Sequence, residues 1–146
     1  MFVVDTNLLL YAVNPDSNEH QVALAEVERY REGAQLWFLT WGIVYEFLRV
    51  STHRAVFDRP LSLERAWSWI EALRAGHGFR ILSETERHAD VVRELSARHP
   101  RLAGNPVHDL HTAALMLEHG IAEIRTADTD FHQFPFLRVL NPLLGA

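Results

Sequence analysis

The chain has 146 residues, 48% of them hydrophobic, and a formal net charge of −5. This size suits one compact domain with a hydrophobic core, so we expect a single domain over residues 1–146. The negative charge disfavours a protein that holds nucleic acid by a strongly basic surface. The lack of cysteine excludes disulfides, thiolate zinc sites and cysteine nucleophiles, so any metal must bind to oxygen or imidazole ligands.

Membrane and secretion signals are not evident in the sequence. No apolar run reaches the roughly 18 residues that a membrane-spanning helix requires. The first residues also lack the basic segment and apolar stretch of a secretion signal. We therefore expect a cytoplasmic protein without a membrane partner.

Short apolar runs alternate with helical patterns along the chain. The runs predict strands at residues 1–5, 36–40, 79–82, 123–126 and 137–140. Apolar side chains at helical spacing predict helices around residues 22–30, 43–48, 66–73, 89–95 and 110–117. This alternation predicts an α/β fold, a three-layer α/β/α domain with a central, mostly parallel sheet.

The last predicted helix has signals at both ends. Asn105 can cap its start, and Pro106 suits its first position. Gly120 is the expected C-terminal stop. These signals predict that the helix begins with Asp109 in its first turn.

Four acidic residues occupy positions that the predicted fold brings to one edge of the sheet. Asp5 and Asp128 follow predicted strands, and the active crevice of an open parallel sheet lies beyond the carboxyl ends of its strands. Glu46 lies about one and a half turns into the helix after Thr40, and Asp109 lies in the first turn of the last helix. Each acid alone also fits a structural role, as a cap, a turn residue or a solvated side chain.

Four carboxylates at one edge would repel one another and lose hydration unless a cation compensates their charge. Magnesium and manganese prefer hard oxygen ligands and retain several waters. Such an ion can activate water and neutralise charge on a phosphoryl group. The joint placement of the acids therefore predicts a divalent-metal site for phosphodiester hydrolysis.

The motifs around these acids resemble the PIN-domain family over almost the whole chain. They are VVDTN at residues 3–7, YEFLRV at 45–50, HDL at 108–110 with the alanine pair 113–114, and TADTDF at 126–131. Within that family the chain is most similar to the VapC toxin ribonucleases of toxin–antitoxin pairs. That likeness extends to PLS at 60–62, FLR at 136–138 and NPL at 141–143.

The resemblance implies an Mg²⁺- or Mn²⁺-dependent endonuclease that acts on RNA and is inhibited by a VapB-like antitoxin. By position, it implies that the acidic quartet is Asp5, Glu46, Asp109 and Asp128. It also implies that Asp130 is an accessory acid, and the sequence leaves the division of metal binding between Asp128 and Asp130 open. Polar residues that orient the acids or a water would be Thr6, Asn7 and Thr126, whose alternative role is turn and cap hydrogen bonding.

Partners follow from the same resemblance and from charge. An acidic pocket attracts a basic peptide, so we expect the antitoxin to place an arginine or lysine near Asp5 and Asp109. Apolar helix faces near Trp41 and Trp67 would receive the rest of the antitoxin, and a second face would form a homodimer. Candidate contacts to RNA phosphates, or else solvated side chains, are Arg49, Arg54 and Arg59.

Other chemistries have weaker support. His108 and His111 flank Asp109 and are a possible transition-metal pair, whereas His53, His77, His88, His99 and His132 show no paired ligand spacing. A receiver domain pairs acids with a lysine, and this chain has none. A haloacid-dehalogenase-like phosphatase needs a second acid two residues after Asp5, where Asn7 stands. The remaining alternative is a PIN-fold module that binds RNA or protein without turnover.

Overall fold

The computed structural model describes residues 1–145, in which strands alternate with helices along most of the chain. The strands are β1 (Phe2–Val4), β2 (Trp37–Thr40), β3 (Phe79–Leu82), β4 (Glu123–Arg125) and β5 (Arg138–Leu140). The α-helices are α1 (Thr6–Val13), α2 (His20–Glu32), α3 (Trp41–Ser51), α4 (Leu63–Arg74), α5 (His88–Arg98) and α6 (Val107–His119). A short 3-10 helix, Asp130–Gln133, lies between β4 and β5. Within residues 1–145, every helix is too short or too polar to cross a membrane.

The strands form one parallel sheet in the order β3-β2-β1-β4-β5. β1 lies at its centre, where Val3 pairs with Phe38 of β2 on one side and with Ile124 of β4 on the other. Parallel neighbours need crossover connections, and here helices supply them. The predicted three-layer α/β/α domain is confirmed, and its central strand delivers the chain directly to Asp5.

The two ends of this sheet differ in chemistry. The first residues of β1, β2 and β3 are Phe2, Trp37 and Phe79, all buried. Trp37 packs edge-to-face on Phe79, and Tyr30 of α2 packs edge-to-face on Phe2, with ring centroids 5.0 and 4.9 Å apart. Aromatic burial closes the amino end of the sheet, whereas the carboxyl end carries polar residues.

Helix α1 is missing from the sequence-based prediction. Its residues 8–10 are three leucines, of which Leu8 and Leu9 are buried and Leu10 is partly buried. A short apolar run that directly follows a strand gives no clear amphipathic period, so spacing alone does not separate a buried helix from a longer strand. Asp5 marks the boundary, because its carboxylate accepts a hydrogen bond from the Thr6 backbone N–H and caps α1.

The predicted limits of the last helix are half correct. Gly120 is confirmed as the stop, with a φ of 69° that suits glycine. The predicted start is wrong, because α6 begins at Val107 and Pro106 occupies the capping position without a side-chain cap. Asn105 contributes its backbone carbonyl, which accepts from the His108 N–H at 3.1 Å. Asp109 still lies in the first turn.

Candidate active site

Asp5 is held rigidly at the carboxyl end of the central strand. Its backbone N–H donates to the Arg125 carbonyl at 3.0 Å, which joins the end of β1 to the end of β4. Oδ1 accepts from the Thr6 N–H at 2.8 Å, while Oδ2 accepts from Thr126 Oγ1 at 2.7 Å and Asn7 Nδ2 at 3.0 Å. Asp5 is a buried carboxylate whose two oxygens are both oriented by neighbours.

Thr126 and Asn7 connect this carboxylate to the loop after β4. Thr126 is completely buried, and its hydroxyl accepts from the Asp128 N–H at 2.9 Å while it donates to Asp5. The Asn7 amide donates to Thr126 Oγ1 at 3.0 Å, and its carbonyl accepts from the Ala127 N–H at 3.1 Å. Asn7 and Thr126 therefore make turn hydrogen bonds and hold the Asp5 carboxylate at the same time.

Glu46 reaches the same edge from α3. Thr40, the last residue of β2, caps this helix by accepting from the Ile43 N–H at 3.0 Å. One and a half turns later, Glu46 Oε2 accepts from Thr6 Oγ1 at 3.0 Å. The first residue of α1 thus links the carboxylates at positions 5 and 46, donating its N–H to one and its hydroxyl to the other.

The remaining acids come from α6 and from the β4–β5 connection. Asp109, Asp128 and Asp130 each place one carboxylate oxygen within 4.8 Å of the other two. The Asp130 N–H donates to Asp128 Oδ1 at 2.9 Å, which fixes the turn that carries both. Between α3 and α6, Asp5, Glu46 and Asp109 line a cavity of about 20 Å³. That volume matches one water molecule or small ion, which needs at least roughly 10–15 Å³.

Two of the acids at this edge have raised pKa values. Burial raises the pKa of Asp5 to about 6, against the hydrogen bonds from Thr126 and Thr6 that lower it. Burial also raises the pKa of Asp109 to about 7, with further contributions from the charges of Asp5, Asp128, Asp130 and Glu46. These directions are those of carboxylates that lack a nearby cation.

The donor set fits a hard divalent cation. All five acids present carboxylate oxygens, the ligands that magnesium and manganese prefer, and their pKa values would fall if such an ion lay between them. Asp130 is exposed and the other four are buried or half-buried. The four less exposed acids are therefore placed where they could hold such an ion, with Asp130 at the exposed side.

The three candidate arginines lie in different surroundings. Arg49 shares a cavity of about 240 Å³ with Glu46 and His108, beside the acidic edge. Arg59 is instead paired with Asp16 through two hydrogen bonds, at 2.7 and 3.2 Å. Arg54 lies in an exposed turn beyond α3. Arg49 is therefore the arginine of the three that borders the acids.

Two small residues also shape the cavity but carry no charge that sequence reasoning would notice. Gly42, in the first turn of α3, faces His111 of α6, and a Cβ at this glycine would lie 3.0 Å from the imidazole Nδ1. Thr112 is buried and lines the cavity. The only sequence signal is indirect, because Thr112 lies three residues after Asp109 on the same face of a helix.

Comparison with known proteins shows which family the chain belongs to. A family model for the PIN domain matches residues 2–137 of the chain. The chain belongs to the PIN domain family. Its curated relatives include ribonuclease VapC48 of Mycobacterium tuberculosis, which is 35% identical over 141 residues, or 97% of each chain. The resemblance to VapC ribonucleases drawn from the sequence motifs is thereby confirmed.

Solved structures share the fold of this PIN domain at lower identity. The crystal structure of Mycobacterium tuberculosis VapC20, a sarcin-ricin loop cleaving toxin, superposes with a TM-score of 0.65 at 19% identity, covering 90% of this chain and 93% of that one. VapBC2 from Rickettsia felis, bound to a DNA fragment from their promoter, gives 0.66 at 16% identity and covers 96% and 97%. These likenesses support the architecture of the PIN domain.

Proposed function

We propose that this protein is a divalent-metal-dependent endoribonuclease that acts as the toxin of a toxin–antitoxin pair. The observation that carries the proposal is the convergence of five carboxylates at the carboxyl end of a PIN-domain sheet, with the pKa values of Asp5 and Asp109 raised. The curated relatives named as VapC ribonucleases support RNA as the substrate.

Asp5, Glu46, Asp109 and Asp128 would bind Mg²⁺ or Mn²⁺, and Asp130 would assist from the exposed side. When bound, the ion supplies activation of a water and neutralisation of charge on the phosphoryl group. Thr6, Asn7 and Thr126 fix the carboxylates at positions 5 and 46, so these ligands need little reorganisation. In this arrangement the chain's own contribution to phosphodiester hydrolysis is to hold the acids in position for the ion.

An open cavity borders the acids on the side where Asp130 is exposed. An open cavity of about 660 Å³ is lined by Arg98, Arg101 and Asp130 among others. Arg49 lines a different cavity, the one of about 240 Å³ that it shares with Glu46. Guanidinium groups bind phosphates well, so we propose that Arg49 and Arg101 hold the RNA backbone on either side of the cleaved bond.

The antitoxin would cover a neighbouring apolar surface. Tyr45, Leu63 and Trp67 line a cavity of about 540 Å³ between α3 and α4, and Trp41 stands exposed beside Tyr45. Contiguous exposed apolar residues of this kind mark protein interfaces. We propose that a VapB-like antitoxin occupies this surface and directs a basic side chain to Asp5 and Asp109. A homodimer stays a prediction.

Cleavage of a mixed RNA pool with and without Mg²⁺ or Mn²⁺ tests the nuclease proposal. Asp109→Asn should lower the cleavage rate at least about 100-fold, because a charged ligand is lost while the side chain keeps its shape. The matched control is Asp90→Asn, which removes an exposed acid paired with Arg93 on α5 and should leave cleavage unchanged. Equal cleavage by Asp109→Asn and the parent protein, or cleavage that chelator does not reduce, would contradict the proposal.

Coexpression with the product of the adjacent gene tests the antitoxin proposal separately. We expect a complex that survives gel filtration and does not cleave RNA. Replacing Leu63 with aspartate should weaken the complex without reducing cleavage by the free protein, since Leu63 is exposed and lies outside the cavity that Arg49 shares with Glu46. A pair that cleaves RNA as fast as the single protein would refute inhibition and leave the nuclease proposal intact.

A further inference from the structure

A second cluster of potential metal ligands lies on the other side of His111. Glu84 follows β3, His88 is the first residue of α5, and His111 and Glu118 lie on α6. Glu84, His88 and His111 each place one ligand atom within 4.8 Å of the other two. Three separate segments therefore bring two imidazoles and one carboxylate to one point.

Glu118 orients the His88 ring of this cluster from the buried side. Its side chain is fully buried, and Oε1 accepts from the Thr85 N–H at 2.9 Å and from Thr85 Oγ1 at 2.8 Å. Oε2 lies 2.6 Å from His88 Nδ1. A carboxylate in this position accepts the Nδ1 proton, fixes the ring and leaves Nε2 with its lone pair free, as in the carboxylate–histidine–zinc arrangement of metalloproteins.

His111 and Glu84 complete the ligand set. His111 Nε2 lies 2.8 Å from Glu84 Oε1, and its ring lies edge-on to His88 with centroids 5.8 Å apart. The His111 side chain is 33% exposed and the Glu84 side chain is 50% exposed, so an ion can reach both from solvent. The ring of His88, at 26%, is accessible as well. The three ligand atoms lie within 4.8 Å of one another, so modest movement of these accessible side chains would bring each to roughly 2.0–2.2 Å from a common centre.

We propose that Glu84, His88 and His111 form a second cation site that takes a transition metal such as Zn²⁺, Co²⁺ or Ni²⁺, with Glu118 as the buried partner of His88. Imidazole nitrogen selects these ions over magnesium, whereas the all-carboxylate edge near Asp109 selects hard cations. His111 borders both places, because its Nδ1 faces Gly42 at the cavity that Asp109 also lines, whereas its Nε2 faces Glu84. The bound ion joins the loop after β3 to α5 and α6 and stabilises their packing.

Calorimetric titration of metal-free protein with Zn²⁺, in a large excess of Mg²⁺ to occupy the carboxylate edge, tests this site. We expect one equivalent to bind, with a rise in the melting temperature, because an ion that binds only the folded state stabilises it. Glu84→Ala should weaken Zn²⁺ binding at least 10-fold, and His88→Ala at least 100-fold. Because His88→Ala removes a partner of buried Glu118 and can disturb folding, the exposed Glu84→Ala variant provides the independent measurement.

Two controls separate this site from the acidic edge and from ordinary surface histidines. His77→Ala removes an exposed imidazole elsewhere and should retain the parent affinity. Asp128→Asn should also retain the Zn²⁺ equivalent measured in excess Mg²⁺. The proposal is overturned if no equivalent of Zn²⁺ binds, if Glu84→Ala and His88→Ala bind as tightly as the parent, or if Asp128→Asn abolishes binding. None of these results depends on RNA cleavage.

Discussion

The two ends of the central sheet are built from opposite chemistry. At the amino end, Phe2, Trp37 and Phe79 are buried against one another and Tyr30, and this packing contributes stability. At the carboxyl end, β1, β2 and β4 lead to carboxylates that repel one another, and the pKa values of Asp5 and Asp109 are raised. One end stabilises the domain without a ligand, whereas at the other end the mutual repulsion of the carboxylates opposes folding.

The largest effect on stability should come from the aromatic end. Trp37→Ala removes a fully buried side chain from the centre of this cluster and should lower the free energy of unfolding by about 3–5 kcal/mol. Chemical denaturation measures the loss. At a temperature where the variant remains folded, its cleavage rate should equal that of the parent. A lower cleavage rate in the folded variant would show that the aromatic end also supports the acidic site, and would remove the distinction between the two ends.

Asp5→Asn should affect both function and stability. Oδ2 accepts from two donors, Thr126 Oγ1 and Asn7 Nδ2, so an amide NH₂ in place of this oxygen would face donors with a donor, and a flipped amide would face the Thr6 N–H. We expect cleavage to be lost and the free energy of unfolding to fall by about 1–3 kcal/mol. Thermal denaturation of the metal-free variant measures the second effect, and an unchanged melting temperature would show that the hydrogen bonds around Asp5 are not stabilising.

The stability of the metal-free protein should decrease as the pH rises from 5 to 8. The folded pKa values of about 6 for Asp5 and about 7 for Asp109 lie above the value near 3.9 of an unfolded aspartate. Their protons stabilise the folded state fully below pH 4, and this contribution is lost as the pH rises through 6 and 7. Melting temperatures across this range test the sign, and millimolar Mg²⁺ at pH 8 should restore part of the loss.

Asp109→Asn should have the smallest effect on stability, and a favourable one. The variant removes one of the mutually repelling charges, so the metal-free melting temperature at pH 8 should rise by a few degrees. Adding Mg²⁺ should then stabilise the parent more than the variant. A sharp fall in the melting temperature of the metal-free variant would instead assign Asp109 a structural role like that of Asp5.

The acidic edge was predictable because its geometry follows from alternation alone. Once the strands are parallel, residues after β1 and β4 must meet at one edge, so Asp5 and Asp128 could be placed from the sequence. Helix α1 could not, because its leucines fit a buried strand as well as a buried helix. The start of α6 was also misplaced, since Asn105 has a capping side chain but the chain turns through Pro106 without using it.

The imidazole cluster shows a different limit of the sequence. His88 and His111 are 23 residues apart and belong to two helices, so no local spacing relates them, and the paired positions 108 and 111 suggested a different partner. Tertiary packing of α5 on α6 brings the two rings together. The buried Glu118 beneath them is likewise invisible in the sequence, where an acid near a helix end is ordinarily solvated.

Gly42 affects how closely α3 and α6 approach each other beside the acids. A Cβ at Gly42 would lie 3.0 Å from Nδ1 of the His111 ring. The missing side chain therefore allows α3 to pack closely against α6 at this point. Glu46 lies on α3 and Asp109 lies on α6, and both line the same cavity of about 20 Å³. A methyl group at position 42 would press on His111, whose ring would have to shift by a few tenths of an ångström, so the absence of a side chain there keeps the helices that carry Glu46 and Asp109 close together.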